Sequence, residues 1–365
     1  MFRNTLHTRR SILAATLLLT GCGFAHSQDA SGFSFKDTPG EHLDVLFKGK
    51  TLARYMDSHD VSTPEKHNLN YKPFLHVFDA EGQNTITKGD GGEFTHHRGL
   101  FVGWMKIGVN GKNYDRWHMK GGDQIHEKFL NQKAGATEAS FTSQVKWTGD
   151  KEEDTLISEE RTITFHTPPA PAYAMIDMTS KLKTVAGETS FDGDPEHAGL
   201  QFRPAVDIER DKTTYLYPKE GAEPHKDKDY PWIVEGMTIK GKRYSVIYLN
   251  HPSNPKDASD SAYRNYGRFG MFFKTKVPAN SELVLKVRII ASEGDIPPVD
   301  FIQAQYNAFA GTSDAAPKTT LKPAEGAGTP KPKGEPKPKG EPKPKGEAKP
   351  KAGATPEPAT APVQK

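Results

Sequence analysis

The chain of 365 residues contains a single cysteine, Cys22. That excludes an intramolecular disulfide and any cysteine-rich zinc or iron–sulfur site. No apolar run approaches the roughly 20 residues that cross a bilayer as a helix. Nucleotide signatures are also absent: there is no Gly-x-x-x-x-Gly-Lys-Ser/Thr loop, no dinucleotide fingerprint and no Gly-x-Ser-x-Gly elbow. A basic face disappears once charge is divided by region. The formal charge of +3 comes from the first 30 residues and from residues 311–365, which leaves 35 basic against 39 acidic residues between Ser31 and Ala310. No nucleic-acid partner is expected of such a core.

Residues 1–30 read as an export signal. Arg3, Arg9 and Arg10 precede the apolar run Ile12–Leu19, and small residues follow. Leu19-Thr20-Gly21-Cys22 has the pattern of a lipobox, which would make Cys22 the lipidation point and a lipid anchor the protein's sole tie to the membrane. If the lipobox is unused, cleavage after Ala25-His26-Ser27 gives a secreted protein. Thr8-Arg9-Arg10-Ser11-Ile12-Leu13 also fits a twin-arginine signal, so the route of export stays open. Residues 311–365 read as a disordered tail: Pro-Lys-Pro-Lys-Gly-Glu repeats from Pro330 through Glu347, with little to bury and a polyproline-II bias. Its lysines would contact anionic envelope polymers, or simply stay solvated.

Residues 31–310 show short period-two runs rather than helical periodicity. Phe141–Trp147, Arg161–Phe165, Tyr244–Leu249 and Leu283–Ile290 are the clearest strands. Asn110-Gly111 and Lys240-Gly241 mark hairpin turns. One short helix is expected after Pro297-Pro298, with Ile302, Tyr306 and Phe309 on one face. The expected fold is all-β, a large antiparallel β-sandwich of jelly-roll or supersandwich type with one C-terminal helix.

Three segments carry side chains suited to chemistry. The first, Glu93–Glu127, holds His96, His97, Arg98, Trp117, His118 and His126. On a regular strand His96 and His97 would face opposite ways, so they could share a site only at a turn or bulge. A divalent metal on His97, His118 and His126 is one option; histidines that simply satisfy buried backbone groups are the other. In the second, Gly193–Pro204, Leu200 and Phe202 should face the core and leave Gln201 and Arg203 opposite, while Glu196 and His197 could form an acid–base pair. The third runs from Leu249 to Gly270, where two Xaa-Pro steps hold Asn250 and His251 in a stiff loop and Arg264 lies between tyrosines. Trp104, Trp117 and Trp232 would offer a sugar platform or belong to the core.

Together the stretches YKPFLHVFDAEGQ, FTHHRGLFVGW, VNGKNYDRWHM, GDPEHAGLQFRP, YLNHPSNP and RNYGRFG resemble an exported bacterial family carrying the label methane oxygenase PmoA. The resemblance implies a β-sandwich in a carbohydrate context. The missing membrane helices and the missing di-iron Glu-x-x-His pattern argue against methane oxidation itself. The expected protein is an exported, lipid-anchored enzyme acting on a sugar or glycoside as an epimerase, lyase or hydrolase. His96, His97, His126, Glu196 and His197 would be catalytic; Arg98, Trp117, Arg203, Asn250, His251 and Arg264 would bind substrate. The alternative is a non-catalytic glycan-binding envelope protein using the same residues.

Overall fold

The computed structural model describes Met1 and residues 31–326. The segment read as an export signal with a lipobox at Cys22, and the Pro-Lys repeats, lie outside the described residues. Every strand predicted above forms, and every pairing between strands is antiparallel. The strands build an eight-stranded, a nine-stranded and a four-stranded sheet. Leu43, Val45, Val102 and Leu200 of the eight-stranded sheet share one buried cluster with Phe141, Ile163, Met178 and Val287 of the nine-stranded sheet. Hydrogen bonds cross the gap, among them Tyr55 Oη to Ser143 Oγ at 3.0 Å, Tyr248 Oη to the Leu200 carbonyl at 3.0 Å and Gln124 Nε2 to the Val102 carbonyl at 2.9 Å. The two large sheets therefore form a sandwich.

The alternation of side chains explains the remaining layers. Tyr244, Val246 and Tyr248 point into the sandwich, whereas Ile247 and Leu249 point out. There they meet Ile302 and Tyr306 of the C-terminal helix, Val299–Ala310, which begins after the predicted Pro297-Pro298 and ends at Gly311 with φ +71°. Strands covered on both faces lose the half-buried signature, and Trp232–Ile239 is buried at every position. A second helix, α1, spans Pro64–Asn70 with Thr63 as its N-cap. Sequence reading missed it because it buries no residue and so shows no apolar stripe. The C-terminal helix is therefore α2.

The folded body also extends beyond residue 310, which corrects the boundary of the tail. Thr320–Pro323 adds an edge strand beside Thr214–Tyr217, and Glu325 N donates to the Tyr263 carbonyl at 2.7 Å. Leu321 is 58% exposed. Backbone pairing rather than apolar burial recruits this strand, so no hydrophobic pattern marks it in the sequence.

Candidate active site

The outer face of the eight-stranded sheet carries the third layer. Leu100 and Val102 enter the main core, so Phe101 faces outward, where it packs with Phe74 and Trp117 in a separate small cluster. Above that cluster the loops carrying His96, His118 and His197 converge. Residues 91–97 form turns, and His97 N bonds the Phe94 carbonyl at 2.9 Å. This meets the condition set by strand geometry, and the His96 and His97 rings lie 4.4 Å apart. Phe94 and Met119, which flank the two loops, hold φ at +54° and +58°. Positive φ is costly for such side chains and tends to persist where function requires it.

One ring nitrogen from each of His96, His118 and His197 lies within 4.8 Å of the others. Two of the three imidazoles are oriented by carboxylates. Asp115 Oδ2 sits 2.8 Å from His118 Nδ1, and Asp115 Oδ1 accepts from His118 N at 2.8 Å. Asp194 Oδ1 sits 2.8 Å from His197 Nδ1. An ionised carboxylate only accepts, so each Nδ1 carries a proton, which in the neutral tautomer leaves the Nε2 lone pair for a metal. Burial works against charge at Asp115, but its bonds to His118 outweigh that and hold its carboxyl below the ordinary value. Burial, then the adjacent His118, holds His96 down at about 2, so it is neutral at physiological pH.

A cationic wall completes the pocket. His97 is 2% exposed, and neither ring nitrogen has a partner among the described residues. Burial and then Arg268 hold its pKa well below the ordinary value. Tyr266 lies 6.3 Å from His97 and beneath the guanidinium groups of Arg203 and Arg268, at 4.8 and 5.9 Å. Arg268 Nη2 approaches Glu196 Oε2 at 3.1 Å as an ion pair lacking hydrogen-bond geometry. Glu196 also accepts from Arg264 Nε at 2.9 Å and Tyr263 Oη at 3.1 Å. Burial would raise its pKa, but the Arg264 bonds and the Arg268 charge lower it, so Glu196 is an ionised anchor rather than an acid. Lys72 Nζ donates to the Trp117 carbonyl at 3.1 Å and lies 4.0 Å from the Phe101 ring centre; burial, then Arg98, pulls its pKa well down.

Of the predicted residues, His96, His97, Trp117, His118, Glu196, His197, Arg203 and Arg264 gather here. Several details differ from expectation. Glu196 does not pair with His197, because Arg264 and Asp194 claim them separately. Arg203 is 1% exposed, not on an open face, since Tyr266 covers it. Trp117 is a buried wall 6.0 Å from His97 and 6.1 Å from His197, while Trp104 and Trp232 are core.

Other predicted residues lie elsewhere. His126 is outside the histidine group, and the ring nitrogens that come together are those of His96, His118 and His197. His126 Nδ1 bonds Ser143 Oγ at 2.6 Å, and its ring packs on Phe129. Asn250 and His251 belong to a self-contained loop: Asn254 Nδ2 donates to Asn250 Oδ1 at 2.7 Å, and His251 packs on Phe309 of α2. Arg98 lies on the α1 side, donating to the Asn68 carbonyl at 2.7 Å and resting on Tyr71. Sequence reading passed over Lys72, Asp115, Asp194 and Arg268. A signal for two of them was present, because Asp-x-x-His occurs at both Asp115–His118 and Asp194–His197.

No curated protein matches the chain. Among solved structures it is similar to a heparan sulfate lyase HepC mutant from Pedobacter heparinus, with 9% identity over 74% of this chain and 36% of that one, at a TM-score of 0.34. It thus spans about a third of that lyase's length. A galactose mutarotase related enzyme from Lactobacillus acidophilus is similar at 6% identity, over 72% of this chain and 97% of that one, with a TM-score of 0.31. For a galactose mutarotase-like protein from Lactobacillus casei the values are 6%, 71%, 100% and 0.30. Likeness this slight says nothing about the chemistry of the present chain. Residues 42–305 match a family of unknown function and contain every site residue named above, so the chain belongs to that family, DUF6807.

Proposed function

We propose that the protein is an exported enzyme that performs acid–base chemistry on a sugar or glycoside at a divalent-metal centre held by His96, His118 and His197. The observation that carries this reading is the convergence of three imidazole nitrogens, two of them aimed by carboxylates. That donor set suits zinc or a similar borderline cation. A metal bound there would polarise a substrate oxygen or activate a water. His97, neutral and with both ring nitrogens unpartnered among the described residues, is suited to hydrogen-bond a substrate hydroxyl. Arg268 and Arg203, with N–H groups lacking partners, would bind the oxygen on which negative charge develops. Glu196 holds Arg264 and Arg268 in place, and the many donors call for a substrate rich in acceptor oxygens, such as a polyol ring or its carboxylate.

Kinship with the exported PmoA-labelled family is part of the proposal. Its support is that the FTHHRGLFVGW, VNGKNYDRWHM, GDPEHAGLQFRP and RNYGRFG blocks each contribute side chains to one pocket. Lipid attachment at Cys22 and residence in the cell envelope belong to the same reading. The test is turnover: purified protein, metal-stripped and then metal-restored, is incubated with a panel of glycosides and oxidised glycosides. Metal-dependent conversion that His118→Ala abolishes supports the proposal. Saturable sugar binding without conversion under any metal condition would replace it with a glycan-binding function.

A further inference from the structure

A second group of metal-type ligands lies outside the pocket just described. His59 Nε2 and His67 Nε2 both approach the same oxygen, Asp123 Oδ2, at 3.0 and 2.7 Å. With that oxygen they form a compact group of ligand atoms. Asp123 is 8% exposed, and its other oxygen, Oδ1, has no partner among the described residues. A buried carboxylate with an unanswered oxygen is costly unless something positive meets it. Its backbone is firmly held, with Asp123 N donating to Thr148 Oγ1 at 2.9 Å and Thr148 N to the Asp123 carbonyl at 2.9 Å. An open pocket that includes Thr63, Gly122 and Asp150 gives a cation access from solvent.

The second observation concerns what these ligands join. His67 sits on α1 and His59 in the segment leading into it. α1 has seven residues and buries none of them. A helix that short is unstable alone and normally depends on an apolar face, whereas this one is held by polar and ring contacts: the Thr63 cap, the Asn68–Arg98, Ser58–Asn70 and His67–Asp123 bonds, the Lys66–Asp60 ion pair and the His67–Tyr71 ring contact. A cation shared by two imidazoles and a sheet-anchored carboxylate would add a stronger tether between α1 and the sheet. We propose that His59, His67 and Asp123 form a second divalent-metal site, distinct from the His96 centre, that clips α1 to the sheet. The imidazole and carboxylate donors favour zinc or a similar transition cation, with water completing the coordination. The clip also steadies Arg98 through the Asn68 carbonyl.

The test is metal stoichiometry on the full chain after chelation and re-equilibration with zinc, read by elemental analysis. Circular dichroism serves as the check on folding. One equivalent is expected to disappear in Asp123→Asn and in His67→Ala and to persist in His118→Ala. Hydrogen exchange across residues 59–70 is expected to slow when zinc is added to wild type but not to His67→Ala. His67 is partly exposed, so its variant keeps the test open if Asp123→Asn misfolds. Zinc uptake unchanged in His67→Ala would overturn the proposal. The His96 centre is judged separately, by the equivalent lost in His118→Ala.

Discussion

Two histidine-bearing segments with similar polar composition, 94–98 and 250–254, have opposite fates in the folded chain. In the second, His251 Nδ1 meets Ser253 Oγ at 2.7 Å, and Asn254 donates to the Lys286 carbonyl at 2.7 Å while accepting from Lys286 N at 2.8 Å. Its polar groups answer one another, and the loop is a stiff joint. In the first, both nitrogens of His97 and two of Arg98 are buried without hydrogen-bond partners among the described residues, and the guanidinium of Arg268 nearby meets Glu196 as an ion pair without a hydrogen bond. Each unanswered buried donor costs about 1–3 kcal/mol. A fold keeps such a cluster when something else completes it. Satisfaction of hydrogen bonds, rather than residue type, separates the joint from the pocket.

Four substitutions sharpen this contrast. The largest effect is expected for His97→Ala, which should lower kcat/KM by about 10–100-fold in the turnover assay, as the loss of one or two buried substrate hydrogen bonds would. Asp115→Asn should weaken metal affinity at the His96 centre by about 10–100-fold, measured by competition with a chromophoric chelator. In the other segment, Asn254→Ala should cost about 1–3 kcal/mol of stability in urea unfolding, with metal uptake unaffected.

The smallest effect is a change in pH profile. Burial, then the Arg161 charge, lowers His126 from its ordinary 6.5 to about 4. A depressed folded value means that the neutral ring's contribution is complete above pH 6.5 and is lost as pH falls toward 4. His126→Gln should therefore lose less stability than wild type across that window, by urea midpoints, while being weaker at pH 7 through loss of the Ser143 bond.

The four strands named from the sequence and α2 were legible from their apolar pattern and from turns such as Lys240-Gly241 and Pro297-Pro298, whereas Trp232–Ile239, buried on both faces, shows no alternation. α1 and the Thr320–Pro323 strand were not legible, since neither is held mainly by apolar burial. Within the site, His96, His118 and His197 could be picked out as chemistry-bearing residues, but their grouping could not. That grouping depends on the pairing of Ala198–Phe202 with Leu100–Trp104, which brings residues about a hundred positions apart to one end of the sheet. On its other side Ala198–Phe202 lies close against Phe269–Phe272, where Gly199 adopts φ +87° and a Cβ would lie 1.8 Å from the Met271 carbonyl oxygen. His126 was named because it shares a histidine-rich segment with His118, but its strand carries it to Ser143 and Phe129.

The central claim is that three imidazoles from separate loops form one metal centre. It is tested most directly by measuring zinc bound to wild type and to His118→Ala after identical stripping and reloading. The account predicts that His118→Ala binds one equivalent fewer and that its fold, by circular dichroism, is unchanged. Equal zinc content in the two proteins would contradict it.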